Sequence, residues 1–425
     1  QETGCFYSGA DTKPVISTKY LCAGFEYGYD ERGNETDIYY LGLDKEKIVR
    51  RDLGISHIRK EYDLQDNLIK KSYFDLNGPA VYNKKGYEVY EEVFVNGQVV
   101  EKRYLDTDGN LVMHGDEGYA IVRYKYDEYG QCISEFYYDS NCKSIISGKY
   151  YCAGIEYEYD ELGNKTDRRY LGLDGDSIIR RDLGYAHISL GYDECGNEIE
   201  ASYYDEYENP VIWKEGGNAS CEFIYENGNC VERRYFDKEG NLKLRWDTGY
   251  AIIRYEYDEY GQCIGEDYYD TEVKPVFKSD YQCAGCQFGY DEKGNQTETR
   301  YIGLDGKPMM WKDLGYAQIR WEFDHFNNQI NKIYLDEEGQ PVVWETLGYA
   351  QTKWEYDNLG RISKESYYDA AGEPVVSKES GYAYCQFSYG EEERWEEIQY
   401  FDLEGKLIKR NDKGYSIIVY DYDEF

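Results

Sequence analysis

Four histidines, His57, His114, His187 and His325, are the side chains best suited to acid–base catalysis or metal binding, and they are scattered with no common spacing. A Ser-His-Asp arrangement or a zinc centre needs such groups converged on oriented partners. Each is therefore expected to be an ordinary structural or surface histidine. Carboxylates are abundant, with 84 Asp and Glu against 48 Lys and Arg. They recur at regular places, so no pair is singled out for general acid and base work. Asp106-Thr107-Asp108-Gly109-Asn110, with Glu117 at the twelfth place, supplies the oxygens of a calcium loop. Leu111 stands where that loop needs glycine for its sharp turn, and turn chemistry explains the stretch equally well. Weak calcium binding is the most this stretch allows, and no other cofactor is implied.

Cysteine offers a second chemistry. Cys283-Ala284-Gly285-Cys286 has C-x-x-C spacing, but redox versions open a helix and the context here reads as a strand. Cys221, Cys286 and Cys385 stand where sister segments carry Ile or Val, so they are expected as buried thiols, with a few disulfides if the protein is exported. Asn34, Asn164, Asn218 and Asn295 open glycosylation sequons, which matter only in a eukaryotic secretory pathway. The opening Gln1-Glu2-Thr3-Gly4 suits either a remnant of an added tag or a mature end left by signal cleavage.

Tryptophan carries the third. Trp213, Trp311 and Trp344 share one place, where other segments have Ser17, His114, Ser147, Arg180, Lys278 or Ser377. A place that tolerates polar residues reads as exposed. These three indoles are accordingly the candidate ligand-binding residues, an aromatic ladder for a sugar or a protein hot spot, with local packing as the plain alternative. Trp321 and Trp354 replace an inward aromatic and read as core.

The elements that hold these residues are repeats. Gly-Tyr-Ala appears at 118, 184, 249, 315, 348 and 381, at intervals of about 33 or its double, and related openings extend the series. Twelve units run from residue 21 to 413, with a partial unit at 1–20 and a truncated one at 414–425. Cys-Ala-Gly at 22, 152 and 283 groups them into blocks 21–150, 151–281 and 282–413. The ninth place is Tyr or Phe, and the twentieth, or nineteenth in two shorter units, is always Tyr. Alternation such as Ala251, Ile253, Tyr255 and Tyr257 marks a half-buried strand. The turn Asp160-Glu161-Leu162-Gly163-Asn164 suits a type I hairpin loop with a G1 bulge, and the shorter units substitute Asn96-Gly97 and Asn227-Gly228, the preferred type I′ pair. After the second strand, a turn such as Gly339-Gln340-Pro341 leads to a short third strand at Val342-Val343. One hairpin cannot bury its own faces, so neighbours must cover each other.

Composition excludes several functions. A formal charge of −36 repels phosphate backbones and anionic headgroups, so no nucleic-acid partner is expected. No apolar run approaches the roughly 20 residues of a spanning helix, and no membrane insertion is expected.

RYKYDEYG at 123–130 and RYEYDEYG at 254–261 resemble the tyrosine-aspartate repeats of bacterial Rhs and teneurin proteins. That resemblance implies a spiralling β shell, which in some members encloses a toxin segment, although the unit here is longer than in that family. SYFDLNG at 72–78 and RYFDKEG at 234–240 also look like the aromatic repeats of bacterial cell-wall-binding modules and MORN-type repeats, which imply an open array that binds polysaccharide or protein. The expectation is an all-β tandem hairpin array, solenoid or spiral shell, in a secreted or cell-surface bacterial protein. Its expected role is a non-enzymatic binding module or adhesin for a host protein or glycan. The alternative is an Rhs-like shell that encloses or delivers a polypeptide.

Overall fold

The computed structural model describes residues 2–9, 12–80, 85–280, 282–390 and 395–422; Gln1 lies outside them. The described chain is all-β, with 26 strands from β1 (Glu2–Ser8) to β26 (Ile417–Tyr422). Each repeat makes one antiparallel hairpin. In the hairpin of β10 (Gly154–Tyr159) and β11 (Lys165–Leu171), Ile155 stands opposite Tyr170 and Tyr157 opposite Arg168 on one face. The Asp160 carboxylate accepts the backbone N–H of Leu162 at 3.0 Å and of Asn164 at 2.8 Å, and Gly163 takes φ 86°. Asp and Gly thus build the bulged turn for which their types suit. Asn96 and Gly97 both have positive φ, 53° and 80°, as a type I′ turn requires.

Strands within a hairpin pair over their whole length, but successive hairpins share only three residue pairs. Between β3 (Glu35–Leu41) and β4 (His57–Tyr62) these are Asp37 with Arg59, Ile38 with Ile58, and Tyr39 with His57. Beyond each short ladder the hairpins splay toward their tips. There the ninth-place tyrosine supplies the missing bond. The Tyr62 hydroxyl donates to the Glu35 carbonyl at 3.0 Å, Tyr126 to Val99 at 2.8 Å, Tyr159 to Cys132 at 2.8 Å and Tyr389 to Ile362 at 2.8 Å.

The last strand does not end the sheet. β26 pairs with β1 in a full hairpin register, Cys5 with Tyr420, Tyr7 with Ile418, including the bulge found in the other hairpins. β1 in turn pairs with β2 (Gly24–Tyr29) through three residues, like every other seam. β26 and β1 therefore form a thirteenth strand pair that closes the sheet on itself. The result is a closed 26-stranded sheet, which replaces the expected solenoid. At ~4.8 Å between strands and a usual tilt of about 40°, such a ring is roughly 50 Å across.

One face carries the core. The twentieth-place tyrosines, including Tyr7 of the closing hairpin, are each no more than 8% exposed. They alternate with the Gly-Tyr-Ala tyrosines in a ladder of rings, as in Tyr119 to Tyr137 at 4.9 Å, Tyr367 to Tyr382 at 5.5 Å and Tyr382 to Tyr400 at 4.9 Å. The ladder crosses the closure, where Tyr7 stacks on Tyr415 at 4.9 Å. The expected third strand is a single bridge, as between Leu335 and Pro341, after which the chain folds back over the tyrosine. Two backbone turns, not a ladder, hold it there.

Tyr159→Phe removes one hydroxyl and leaves the Cys132 carbonyl without its donor. The expected cost is about 1 kcal/mol in urea denaturation. Unchanged stability would show that the phenol contributes nothing to the seam.

Candidate functional site: lids, seams and rims

The place shared by Trp213, Trp311 and Trp344 is half-buried, where the sequence suggested an exposed one. Its backbone N–H closes the fold-back turn, as Trp344 N–H does on the Tyr349 carbonyl at 3.0 Å, and its side chain lies on the twentieth-place tyrosine. Trp213 sits 5.4 Å from Tyr203, Trp311 5.1 Å from Tyr301 and Trp344 5.1 Å from Tyr334, ring centre to ring centre. Where the residue is arginine, a guanidinium takes the same seat: Arg50 lies 4.9 Å over Tyr40, Arg180 4.7 Å over Tyr170 and Arg410 5.0 Å over Tyr400. Asp52 and Asp412 hold the guanidiniums of Arg50 and Arg410 from two residues on, at 2.7 and 2.8 Å. Serine at this place is buried too. Ser147 donates to the Glu117 carbonyl at 2.8 Å and accepts from Tyr150 N–H at 3.1 Å, and Tyr150 then stacks on Tyr137 at 5.4 Å. Polar tolerance here reflects a lid over a phenol ring. The structure does not bring Trp213 next to the other two, and Trp246, a neighbour unremarked in the sequence, is the more exposed indole.

The opposite face of the sheet holds charge at the seams. Glu101 is buried between Arg103 and Arg123, the latter at 2.6 Å, and Glu232 repeats the clamp with Arg234 and Arg254. Burial pushes both carboxyls up, and the paired guanidiniums more than reverse it, holding them below the usual range. Histidine does this work in two blocks. His57 is sandwiched between Tyr39 at 4.1 Å and Phe74 at 5.1 Å, with Nε2 2.6 Å from Asp37. His187 stacks on Tyr204 at 4.8 Å and faces Glu208 at 3.3 Å and Asp167 at 3.6 Å. Gln318 occupies the same place in the third block and donates to the Asp336 carbonyl at 3.0 Å. His114 instead caps a fold-back turn, and these three do not converge.

The acidic turns are spent on themselves. Asp106 accepts Asn110 N–H at 2.7 Å, and Glu117 pairs with Lys149 at 3.3 Å. Among the described residues no group of three His, Cys, Asp or Glu is placed to hold a metal. Cys221, Cys286 and Cys385 are buried opposite Tyr235, Tyr301 and Tyr400, as expected of core thiols. Cys283 and Cys286 lie 3.9 Å apart, sulfur to sulfur. The sequon asparagine Asn218 is fully buried, and Asn34, Asn164 and Asn295 use their amides to bond the turn aspartates.

Several neighbouring hairpin tips are tied to one another along one rim. Gln98 donates to the Gly130 carbonyl of the next tip at 2.9 Å, Lys293 to that of His325 at 2.8 Å, and Arg32 pairs with Asp66 at 2.8 Å. On this rim Leu64, Tyr129, Leu162, Tyr260, Phe326 and Leu359 stand 63–87% exposed. The turn needs only Asp and Gly, so folding does not demand apolar residues there.

No family model matches the chain, and no curated protein matches it. Among solved structures, the chain is similar to part of the TcdB2–TccC3 complex, with 13% identity and a TM-score of 0.35 over 88% of this chain and 21% of that one. It is similar also to part of the Photorhabdus luminescens Tc holotoxin pore carrying a TccC3 mutation, with 12% identity and a TM-score of 0.36 over 91% of this chain. The chain spans about a fifth of the length of each of these. Likeness at this level leaves family and function unassigned, and the reading below rests on the chain's own geometry.

Burial pushes the His57 imidazolium below its ordinary pKa, outweighing the facing Asp37, with Arg59 and Lys47 adding to the depression. The unfolded chain then binds more protons than the folded one as pH falls. His57 therefore contributes stability above about pH 6.5 that is lost on acidification. His57→Gln, the residue the third block already uses, should flatten the fall in stability between pH 7 and 5. An unchanged slope in denaturation curves would rule this out.

Proposed function

We propose that the closed sheet is the wall of a non-catalytic shell that encloses a polypeptide, in an exported bacterial protein. The carrying observation is the ladder between β26 and β1, which joins the two ends of the array. A closed antiparallel sheet has no edge to offer another strand, which speaks against a filament or an open augmenting surface. Barrels of 16 to 22 strands already leave a channel or need a plug, so a 26-stranded ring is too wide for its own side chains to fill. Space on that scale suits a macromolecule. The buried His and carboxylate groups are engaged at the seams, and this supports a structural role over catalysis.

A second reading has its own support. The exposed Tyr129, Tyr260 and Phe326 on the tip rim favour a binding module that docks end-on to a host protein or glycan.

Closure is tested with the native thiol of Cys5, which stands opposite Tyr420. In Tyr420→Cys, mild oxidation should yield an intramolecular disulfide that changes mobility on a non-reducing gel, and small-angle scattering should show a hollow ring. A rod or arc with no cross-link would overturn the enclosing role and leave the open binder.

A further inference from the structure

A cavity of about 490 Å³ opens on the tyrosine face of the first block, lined by residues from Leu68 to Tyr150. Its walls are aromatic, including Tyr73, Tyr87, Tyr104 and Tyr124, but its charge runs against the rest of the molecule. The chain carries a formal −36, yet Lys71, Lys85 and Lys102 line this space together with His114.

The two carboxylates present are already occupied. Glu92 pairs with Lys102 at 3.4 Å and accepts the Tyr90 hydroxyl. Glu117 pairs with Lys149 at 3.3 Å and accepts the Tyr119 hydroxyl. Lys60, which neighbours Lys71 across the strand pair, is held by Glu35. Lys71 and Lys85 form no ion pair among the described residues. Burial pushes the Lys71 ammonium below its ordinary pKa, with Lys60 and Lys85 adding to the depression and Glu92 and Glu35 opposing it.

His114 completes the donor set. It is 2% exposed and packs 4.6 Å from Tyr104 and 5.2 Å from Tyr87. Its Nδ1 accepts the backbone N–H groups of Asp116 and Glu117, both at 3.2 Å. That fixes the neutral tautomer with the proton on Nε2, which is left to donate from the cavity wall. Gly115 N–H bonds the Lys85 carbonyl at 2.7 Å, so the lysine backbone is tied to the histidine's own turn.

We propose that this cavity is a binding site for a small organic anion with a flat apolar body, an aromatic carboxylate, whose carboxylate is held by Lys71, Lys85 and His114 and whose ring lies among the tyrosines. Few, placed polar groups in an otherwise aromatic cavity are the usual make-up of such sites. A neutral phenol would leave the ammonium groups unpaired, and a cation would be repelled. The site lies within three consecutive hairpins and does not depend on what the ring encloses.

The test is isothermal titration of the full chain with 4-hydroxybenzoate, benzoate and 2-naphthoate, against phenol and inorganic phosphate. The aromatic carboxylates should bind at one site, with phenol and phosphate at least tenfold weaker. Lys71→Met and Lys85→Met should each weaken binding tenfold or more with thermal melting unchanged. Lys332→Met, the same place in a later unit, should have no effect. Independently, acetic anhydride should label Lys71, and a bound carboxylate should protect it, as read by peptide mass spectrometry. No saturable binding by any carboxylate up to about 10 mM, where the free energy is under ~3 kcal/mol, overturns the proposal. Equal binding of phenol, or full affinity in both lysine variants, does so as well.

Discussion

Three backbone pairs per seam is the constraint on which this molecule depends. A hairpin joined to its neighbour by so short a ladder would rock about it, and thirteen such joints would leave no defined ring. Seams are therefore held at up to three heights. The tyrosine ladder and its lids grip the base, charged clamps such as Glu101 with Arg103 and Arg123 bridge the opposite face, and the ninth-place hydroxyl ties the splayed tips. None of these contacts is strong alone, and exposed ion pairs contribute little. Repetition makes them sufficient, because the same joint recurs around the whole sheet and each hairpin is held from both sides.

Closure follows from that uniformity. Every seam steps by the same geometry, so the last strand arrives where the first can complete it. The closing hairpin repeats the details of the others: Tyr7 takes the ladder place, Ser17 the lid place with Tyr20 stacked on Tyr7 at 5.7 Å, and Thr18 N–H bonds the Lys413 carbonyl at 3.2 Å. Covering the terminal strands with each other removes the two exposed edges that an open sheet of this length would present.

Much of this was legible in the sequence. Period-two alternation, the Asp-x-x-Gly turns and the Asn-Gly replacements gave strands and turn types, because those features are local. Tyrosine at the twentieth place was visible as an invariant, but the bulged turn hid which face it takes. Two partial units at the chain ends were visible, but that they complete each other is a pairing across more than 400 residues that no local pattern carries. The third strand was over-read: the one bridge falls at Pro341, ahead of Val342 and Val343, before the chain turns. The lid place was misread as exposed because Ser, Arg, His and Trp share polarity less than they share a job. A signal was present: Arg50, Arg180, Arg245 and Arg410 are each followed two residues later by Asp, a spacing suited to pinning a guanidinium flat. The cationic cavity had no local signal, since Lys71 and Lys85 lie apart in one unit and His114 comes from the next.

The lid shows how physical equivalence hides behind chemical variety. Arginine, tryptophan and histidine each set a planar group against a phenol ring, by cation–π contact or by tilted or edge-on ring packing, and serine covers the ring by recruiting Tyr20 or Tyr150. Variation at such a place is neutral to the fold and says nothing about ligands. The informative departures are those that folding does not require. Apolar residues at turn positions that accept Arg32 and Lys293 elsewhere are one such departure, and half-buried lysines with no ion pair among the described residues, lining a cavity of an acidic protein, are another. Both leave free energy unclaimed in the isolated chain, an exposed ring in one case and an uncompensated charge in the other, and a partner molecule is the means by which each would be recovered.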